Sequence, residues 1–266
     1  MSKISASAPV IEGKQYHIAC GPKDVAKSVL LPGDPQRVGK IASLWDSAKE
    51  IAYHREYHTM TGKYQKIPIT CTSTGIGAPS LAIAVEELSR IGVETFIRTG
   101  TCGGIQKGQK LGDLVISTGA VRLDGASKDY VIPEYPAVAH YEVVEALIQA
   151  AEELHIRYHV GITASMDTFY CGQGRPGYRN YLPSHKEYIL LDMQKAGVQN
   201  FEMEVSCLLT LAGIFGKKAG AVCGIVANRV TDEFDINDEV QKKAGLVASR
   251  AVAILQEHKE YKRDRR

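Results

Sequence analysis

The chain has 266 residues, of which 44% are hydrophobic and 23% are charged. This length and composition are typical of a globular protein that buries roughly three quarters of its unfolded surface, and they exclude a collagen-like or wholly disordered chain. The 32 Lys and Arg residues nearly balance the 30 Asp and Glu residues, and the net charge of +2 excludes a protein whose whole surface binds nucleic acid electrostatically.

The predicted secondary structure alternates between strands and helices. In chain order the sequence predicts strand 28–32, helix 35–45, strands 49–60 and 67–74, helix 80–91, strands 95–99 and 112–123, helix 140–155, strand 160–168, helices 185–196 and 204–215, strand 219–228 and helix 237–262. Asp34 suits the N-cap of the first helix, and Pro35 suits its first turn. The alternation predicts an α/β fold with one domain over 1–266, a three-layer α/β/α sandwich around a central mixed β-sheet.

The segments outside these elements are also informative. A turn is predicted at 61–63, between the second and third strands. Residues 171–183 are rich in Gly, Pro, Arg and Tyr and predict a functional loop or lid. Residues 1–14 predict a loose leader, and the charged residues 259–266 predict a solvated tail.

The cysteines and the apolar segments bear on location. Six cysteines are scattered without a CxxC pair, which predicts reduced thiols rather than a disulfide framework. The first residues lack the apolar region of a secretory signal, and no segment approaches the stretch of about 18 apolar residues that spans a membrane. We therefore expect a cytoplasmic protein without a membrane partner.

Candidate ligand-binding residues follow two of the predicted strands, as is usual in α/β folds. Gly33 opens a helix whose backbone N–H groups could approach an anion, and Arg37 adds a forked donor, although a simple capped helix start would look the same. Arg98 lies inside a short apolar strand, where a guanidinium is costly without an anionic partner. That partner could be a bound anion or a buried carboxylate.

Two further segments carry polar or glycine-rich patterns. Glu202 and Glu204 would face the same side of an extended segment just before an apolar helix. They could serve chemistry, or their charge could complement the N-terminal end of that helix. The segment 75–80 resembles a dinucleotide-binding loop, but Pro79 and Ser80 depart from that pattern and no acidic residue ends the following strand, so we reject NAD binding.

Eight motifs together resemble those of one known family. They lie in order at 31–38, 54–57, 73–77, 96–101, 121–126, 167–170, 201–204 and 226–229. The set extends over residues 16–255 and resembles the hexameric nucleoside phosphorylase family, and within it the members that act on uridine. The resemblance implies the reaction of a nucleoside with phosphate to give a base and ribose 1-phosphate. It also implies inorganic phosphate as co-substrate, no required cofactor, and a homo-oligomer, a hexamer built from dimers.

The resemblance implies a role for each matching residue. The expected phosphate ligands are the Gly33 amide, Arg37, Arg98 and Thr101, with Arg55 reaching in from a neighbouring subunit. The expected nucleoside contacts are Glu202, Met203, Glu204 and Phe169, with His17 holding the 5′-hydroxyl across a dimer interface. The residues expected to act in catalysis are Arg98, Arg37, Glu204 and Arg175. A monovalent cation, potassium, is implied at a subunit interface by Glu56, Ile76 and Ser80.

The choice of base depends on a few residues. The Gln173 amide can pair with N3–H and O2 of uracil, and Arg175 can support charge on O4. Arg229 is also expected to contact substrate, and it stands with Asn228 where purine-selective relatives carry an acid. Because no acid stands there, uridine is the expected substrate, while Asp232 nearby keeps a purine nucleoside open.

Two hypotheses from other functional classes are weaker. A hydrolytic nucleosidase would use water in place of phosphate and would not need Arg37 and Arg98. A non-catalytic nucleoside-binding protein would not need both arginines together with Glu204. Product release with and without phosphate distinguishes these classes.

Overall fold

The structure, a computed structural model, describes residues 5–235 and 238–263. These residues form six α-helices and 13 strands. The helices are α1 (Pro35–Ala42), α2 (Ala78–Arg90), α3 (Tyr141–Glu153), α4 (Ile189–Lys195), α5 (Val205–Ile214) and α6 (Asp238–Arg263). The strands are β1 (Val10–Ile11), β2 (Lys14–Gln15), β3 (Ser28–Leu31), β4 (Ser47–His54), β5 (Tyr57–Tyr64), β6 (Ile67–Thr72), β7 (Thr95–Gly104), β8 (Leu114–Leu123), β9 (Ala137–Val138), β10 (Tyr158–Met166), β11 (Asn200–Glu202), β12 (Lys218–Asn228) and β13 (Glu233–Phe234).

Strands β3 to β13 form one 11-stranded mixed sheet, which confirms the predicted α/β class and central mixed sheet. Strand β7 is parallel to β3 on one side and to β12 on the other. Strand β12 also pairs with β8, β8 with β10, β10 with β11, and β11 returns to β7. One end of the sheet therefore closes into a ring of five strands.

Helices cover both faces of this sheet, as the predicted three layers require. On one face α2 and α5 pack together, with Leu81, Leu88 and Leu208 in a shared buried cluster. On the other face α6 packs against α1 and α3, and Ile41 and Leu147 belong to a second buried cluster. The burial of apolar side chains on both faces is the main favourable contribution to folding.

The carboxyl ends of neighbouring strands bring the glycine-rich turns together. Strands β3 and β7 are paired so that Leu31 lies opposite Arg98. Gly33 follows β3, and its carbonyl accepts a 2.9 Å hydrogen bond from the amide of Gly75, which follows β6. The two turns therefore lie side by side next to Arg98, at the edge where ligands of α/β folds bind.

The prediction of a turn at 61–63 is wrong. The chain reverses instead at Arg55 and Glu56, between β4 and β5, and again at Gln65 and Lys66. Arg55, Gln65 and Lys66 have positive φ angles of 54°, 49° and 67°, a conformation uncommon for these residue types, so it gives no signal in the sequence. Gly62 lies inside β5, where a Cβ would be 1.8 Å from the Ser47 carbonyl oxygen of β4. The glycine therefore marks a close approach of two strands, not a turn.

Smaller differences concern element ends. Strand β7 runs five residues beyond the predicted end at Thr99, and the predicted helix 185–196 is a short 3-10 turn followed by α4. The predicted loop at 171–183 contains two more such turns. Strand β11 is missing from the prediction because three residues are too few to show a periodicity.

The predictions for the two ends of the chain hold in part. The loose leader is wrong for residues 10–15, where β1 and β2 form an antiparallel ribbon. The tail is helical as far as Arg263 and is exposed at 259–261. Residues 1–4 of the leader, 264–266 of the tail and 237 of the last predicted helix lie outside the described residues. None of the helices in the described ranges combines the length and apolar character needed to cross a lipid bilayer.

The close approach at Gly62 leads to a stability prediction. Gly62→Ala should lower the free energy of unfolding by about 2 kcal/mol or more, because the backbone of β4 must move away from the new methyl group. Gly39→Ala is the matched control, since Gly39 is exposed in α1 and a Cβ there meets nothing within 4 Å. The control should gain about 0.5–1 kcal/mol. Urea denaturation measures both, and equal stabilities of the two variants would contradict the strand register.

Candidate active site

A cavity of about 480 Å³ opens at the carboxyl ends of β3, β7 and β11. It is lined mainly by residues that the sequence analysis singled out. These are Gly33, Arg37, Ile76, Arg98, Thr101, Phe169, Gln173, Arg175, Glu202, Met203 and Glu204. Segments separated by more than 100 residues in sequence therefore meet in one place, with a volume suited to a small molecule.

Arg98 lies at the centre of the charged end of this cavity and is only 4% exposed. Its Nη2 donates to the Glu204 carboxylate, and its Nε lies 3.4 Å from Glu202 Oε2. Burial alone would lower the pKa of Arg98, but Glu204 and then Glu202 outweigh it and raise that pKa. Arg98 thus pairs with buried carboxylates, which is one of the two kinds of partner that the sequence left open. It also lines the cavity, as the other kind of partner, a bound anion, would require.

Arg37 and Gly33 form the neighbouring part of the wall. Asp34 Oδ1 accepts a 2.9 Å hydrogen bond from the Gln36 amide, which caps α1 and confirms the predicted N-cap. The Nε of Arg37 is buried and has no hydrogen-bond partner within the described ranges. Burial lowers the pKa of Arg37, Asp34 opposes this effect and Arg98 adds to it. A buried donor without a partner beside a second guanidinium favours an anionic ligand.

Gly33 also permits a close approach to Arg98. A Cβ at Gly33 would lie 3.1 Å from the Gly75 carbonyl oxygen and 3.9 Å from Arg98 Nη2. Gly33 is buried, and its missing side chain leaves room for the Gly75 carbonyl, with Arg98 at ordinary van der Waals distance. A glycine amide at the start of a helix and next to cationic side chains is a frequent element of phosphate sites.

Glu202 ends β11, and Glu204 lies in the turn that leads from β11 into α5. Glu204 Oε1 accepts a 2.6 Å hydrogen bond from the Gly77 amide, which ties this turn to the start of α2. Glu202 accepts from the amides of Glu204 and Val205, so it also complements the N-terminus of α5 as the alternative hypothesis expected. Burial, followed by repulsion from Glu204, raises the pKa of Glu202 to about 7, while Arg98 opposes the shift.

The other end of the cavity is polar and aromatic. Gln173 is 2% exposed, and its Oε1 accepts a hydrogen bond from Arg175 Nη1. Arg175 also donates to the Phe169 carbonyl at 2.9 Å, and its guanidinium carbon lies 4.1 Å from the centre of the Phe169 ring. Burial, and then Arg229, lower the pKa of Arg175 to about 10. An amide and a guanidinium fixed beside an aromatic ring suit a flat heterocycle with carbonyl groups.

Five predicted site residues do not line this cavity in their own chain: His17, Arg55, Glu56, Ser80 and Arg229. His17 lies in a second cavity, of about 560 Å³, where its Nδ1 is 2.7 Å from Glu87 Oε1. Arg55 lies 5.9 Å from the centre of the Tyr16 ring. Arg229 donates to the Gln173 carbonyl at 3.0 Å, so it supports the base end from behind.

Several residues at the site were not predicted from sequence. Phe234 lines the cavity from β13, which has two residues and no detectable pattern. Phe201 and Cys102 also line it; Phe201 lies inside the motif at 201–204, and Cys102 directly follows the motif at 96–101. Asn228 is buried, accepts from the amides of Val230 and Thr231, and donates to the Gln109 carbonyl. Its side chain therefore shapes a turn rather than the cavity.

The whole chain resembles proteins of known activity. A family model described as the Phosphorylase superfamily matches residues 27–258. The chain is 60% identical to a uridine phosphorylase from Thermococcus kodakarensis, over 97% of this chain and 93% of that protein. It is 42% identical to the uridine phosphorylase of Escherichia coli, over 91% and 95% of the two chains. A guanosine phosphorylase from Halorubrum lacusprofundi is 40% identical over 91% and 96%. The chain belongs to the phosphorylase superfamily, as the eight ordered motifs predicted.

Proposed function

We propose that this protein cleaves uridine with inorganic phosphate, giving uracil and ribose 1-phosphate in pyrimidine nucleoside salvage, and that deoxyuridine can replace uridine. The main support is a cavity that has Arg37 and Arg98 at one end and the Gln173–Arg175 pair at the other. The uridine phosphorylases among its relatives, at up to 60% identity, support the same substrate.

In the proposed mechanism the phosphate itself is the nucleophile. One of its oxygens forms a bond to C1′ of the ribose while the bond from C1′ to N1 of uracil breaks, and the electron pair leaves with the base. Positive charge develops on the sugar and negative charge on the base, so the protein has to position the reactants and stabilise charge. Gly33, Arg37, Arg98 and Thr101 hold the phosphate in this proposal.

The same mechanism assigns the remaining contacts. Glu204 accepts hydrogen bonds from the ribose hydroxyls, and Met203 packs under the sugar. Because Arg98 contacts Glu204, the phosphate-binding guanidinium lies directly beside the proposed ribose acceptor, as attack on C1′ requires. Gln173 pairs with O2 and N3–H of uracil, and Arg175 donates to O4, where charge spreads as the base leaves. Phe169 provides an aromatic face for the nucleoside.

The dependence on phosphate tests the reaction class. We expect purified protein to release uracil from uridine only when phosphate is present, with ribose 1-phosphate formed in equal amount. Release of free ribose without phosphate would instead identify a hydrolase. Binding of uridine without any turnover, with phosphate present, would identify a non-catalytic binding protein.

Replacement of the base-binding pair gives a second test. Gln173→Ala and Arg175→Ala should each lower kcat/KM for uridine roughly tenfold or more, because a polar group of the buried base loses its partner. The free-energy loss calculated from kcat/KM of the double variant should be smaller than the sum of the two single losses. The reason is that Arg175 donates to Gln173 Oε1, so the two residues act together. The KM for phosphate should stay within about twofold of wild type. A large rise in that KM with unchanged uridine KM would contradict the assignment.

A purine nucleoside is the alternative substrate, and the guanosine phosphorylase relative gives it a specific basis. An acid able to protonate N7 of a purine would be needed near residues 228–232. Asn228 is occupied by hydrogen bonds in its own turn, and Asp232 is exposed and absent from the cavity lining. These observations favour the pyrimidine substrate.

The proposed assembly is a hexamer built from dimers, each subunit a single domain over 1–266. His17 and Arg55 would then complete the cavity of a partner, which agrees with their positions outside the cavity of their own chain. A cytoplasmic location is proposed because five of the six cysteines are buried and all six are free thiols.

A potassium ion is a further element of the proposal. The Ser80 hydroxyl oxygen lies 3.0 Å from Glu56 Oε1 and within hydrogen-bond distance of the Thr74 carbonyl, so carboxylate, hydroxyl and carbonyl oxygens are close together. Oxygen donors of this kind fit a hard cation. Glu56, Ser80 and the Ile76 backbone carbonyl would hold it, and its charge would offset that of Glu56.

A further inference from the structure

The two carboxylates next to Arg98 differ in how many donors already reach them. Glu204 receives two donors within the described ranges, the Gly77 amide on Oε1 and Arg98 Nη2 on Oε2. Each of its oxygens can accept one more hydrogen bond, because a carboxylate has about four lone-pair sites. Glu204 therefore retains capacity for two hydroxyl groups of a ligand.

Glu202 has less capacity left, because three protein donors already reach its carboxylate. Its Oε1 accepts from the Ser165 hydroxyl and, at 3.1 Å, from the Val205 amide. Its Oε2 accepts from the amides of Glu204 and Val205 at 2.8 and 3.0 Å, and faces Arg98 Nε at 3.4 Å. The side chain is 1% exposed, although the residue lines the cavity. Three protein donors therefore reach this carboxylate, since the Val205 N–H is shared between its two oxygens, and the remaining side of Oε2 faces the Arg98 guanidinium.

The ion pair with Arg98 and the hydrogen bonds from the turn join the two halves of the proposed site. Arg98 belongs to the phosphate end, and the Glu204 amide belongs to the turn that presents Met203 and Glu204 to the ribose. Ser165, at the end of β10, anchors the carboxylate from outside the cavity and also accepts from the Ser206 amide. One buried carboxylate thus fixes the orientation of a guanidinium and the backbone of a turn.

We infer that Glu202 is a positioning residue that orients Arg98 for phosphate and does not itself bind the ribose. This replaces the nucleoside contact that the resemblance implied for Glu202, and it rests on the proposed phosphorolysis. In Glu202→Gln, an NH₂ group replaces one carboxylate oxygen. This group would face the Ser165 hydroxyl or the backbone amides, which are donors and cannot accept from it in their present arrangement. Arg98 would lose a charged partner, and the turn would lose one of its acceptors.

The test compares Glu202→Gln with wild type on uridine and on two substrates that each lack one ribose hydroxyl. We expect the KM for phosphate to rise about tenfold or more, because Arg98, a buried cation, loses the charged partner that lies 3.4 Å from its Nε and helps to fix its orientation. A loss in kcat/KM should remain on uridine, 2′-deoxyuridine and 3′-deoxyuridine, because the part that acts through Arg98 and phosphate does not depend on the ribose hydroxyls. A phosphate KM within twofold of wild type, or a loss that vanishes on either deoxynucleoside, would overturn the inference.

Two further variants keep the test decisive. Glu204→Gln is the positive control, and its effect should shrink on at least one deoxynucleoside. Ser165→Ala removes one donor from Glu202 without touching the cavity, and it should raise the phosphate KM about threefold with no preference among the three nucleosides. If Glu202→Gln does not fold, an unchanged phosphate KM in Ser165→Ala overturns the inference.

Failure of the proposed function would be visible separately. Wild-type protein is first assayed on uridine and on guanosine with phosphate. If only guanosine is cleaved, the proposed substrate is wrong, and the same cycle is run on guanosine and its deoxy forms. If neither nucleoside is cleaved, the affinity for inorganic phosphate is measured directly for wild type and for Glu202→Gln. Equal affinities of the two proteins would overturn the inference.

Discussion

Replacing Arg98 by alanine is expected to lower kcat/KM for uridine at low phosphate by roughly 10²-fold or more. Arg98 is buried at the charged end of the cavity, next to an Arg37 donor that has no partner within the described ranges. A desolvated contact between a guanidinium and a phosphate contributes about 2–5 kcal/mol, which corresponds to this loss. Steady-state kinetics at several phosphate concentrations measure it, and binding of uridine alone should survive.

The ion pairs of Arg98 add a second expected effect of the same change. Without the guanidinium, Glu202 and Glu204 stay buried without their cationic partner, which should cost about 3–5 kcal/mol of stability. Activity must therefore be corrected for the folded fraction, measured by urea denaturation. Arg157→Ala is the control, since Arg157 is half exposed and pairs with Asp113 away from the cavity. Near wild-type phosphorolysis by folded Arg98→Ala at low phosphate would rule out the phosphate assignment.

Mixing two impaired variants should restore activity if subunits share their sites. His17 lies in a different cavity from Arg98 of the same chain, and its ring is held by Glu87 on α2. In a two-fold pair each subunit would give His17 to the cavity of the other and keep its own Arg98. A mixed pair of His17→Ala and Arg98→Ala then has one cavity with both lesions and one with neither.

The recovery can be calculated. Random reassociation makes about half of the pairs mixed, so about a quarter of all cavities should be intact. The variants are dissociated, mixed, reassociated and assayed with uridine and phosphate, and each variant treated alone is the control. If subunit exchange is demonstrated and activity stays at the level of the controls, His17 does not serve a partner's cavity.

Local signals in the sequence predicted much of the fold. Asp34 and Pro35 identified the start of α1, and apolar periodicity identified α2 and most of the sheet. The turn near Gly62 was misplaced because a glycine inside a strand looks like a turn signal when its close neighbour on β4 is not known. The ring of strands could not be predicted, because it depends on β12 pairing with both β7 and β8, which are distant in sequence.

The site was predicted less directly. The residue pattern left Arg98 with two possible partners, and the structure shows that the carboxylates of Glu202 and Glu204 are those partners within the chain. That contact joins residues more than 100 positions apart, and no periodicity or spacing reports such a pairing. The roles of Gln173 and Arg175 came from the family resemblance, while their contact with Phe169 depends on an irregular loop.

The most direct test of the account is a competition between nucleosides. Wild-type protein is given equal concentrations of uridine, guanosine and inosine, with and without phosphate, and the released bases and ribose 1-phosphate are quantified. We expect uracil to be the main base released, to form only with phosphate, and to be matched by an equal amount of ribose 1-phosphate. Faster release of guanine or hypoxanthine, or release of uracil without phosphate, would contradict it.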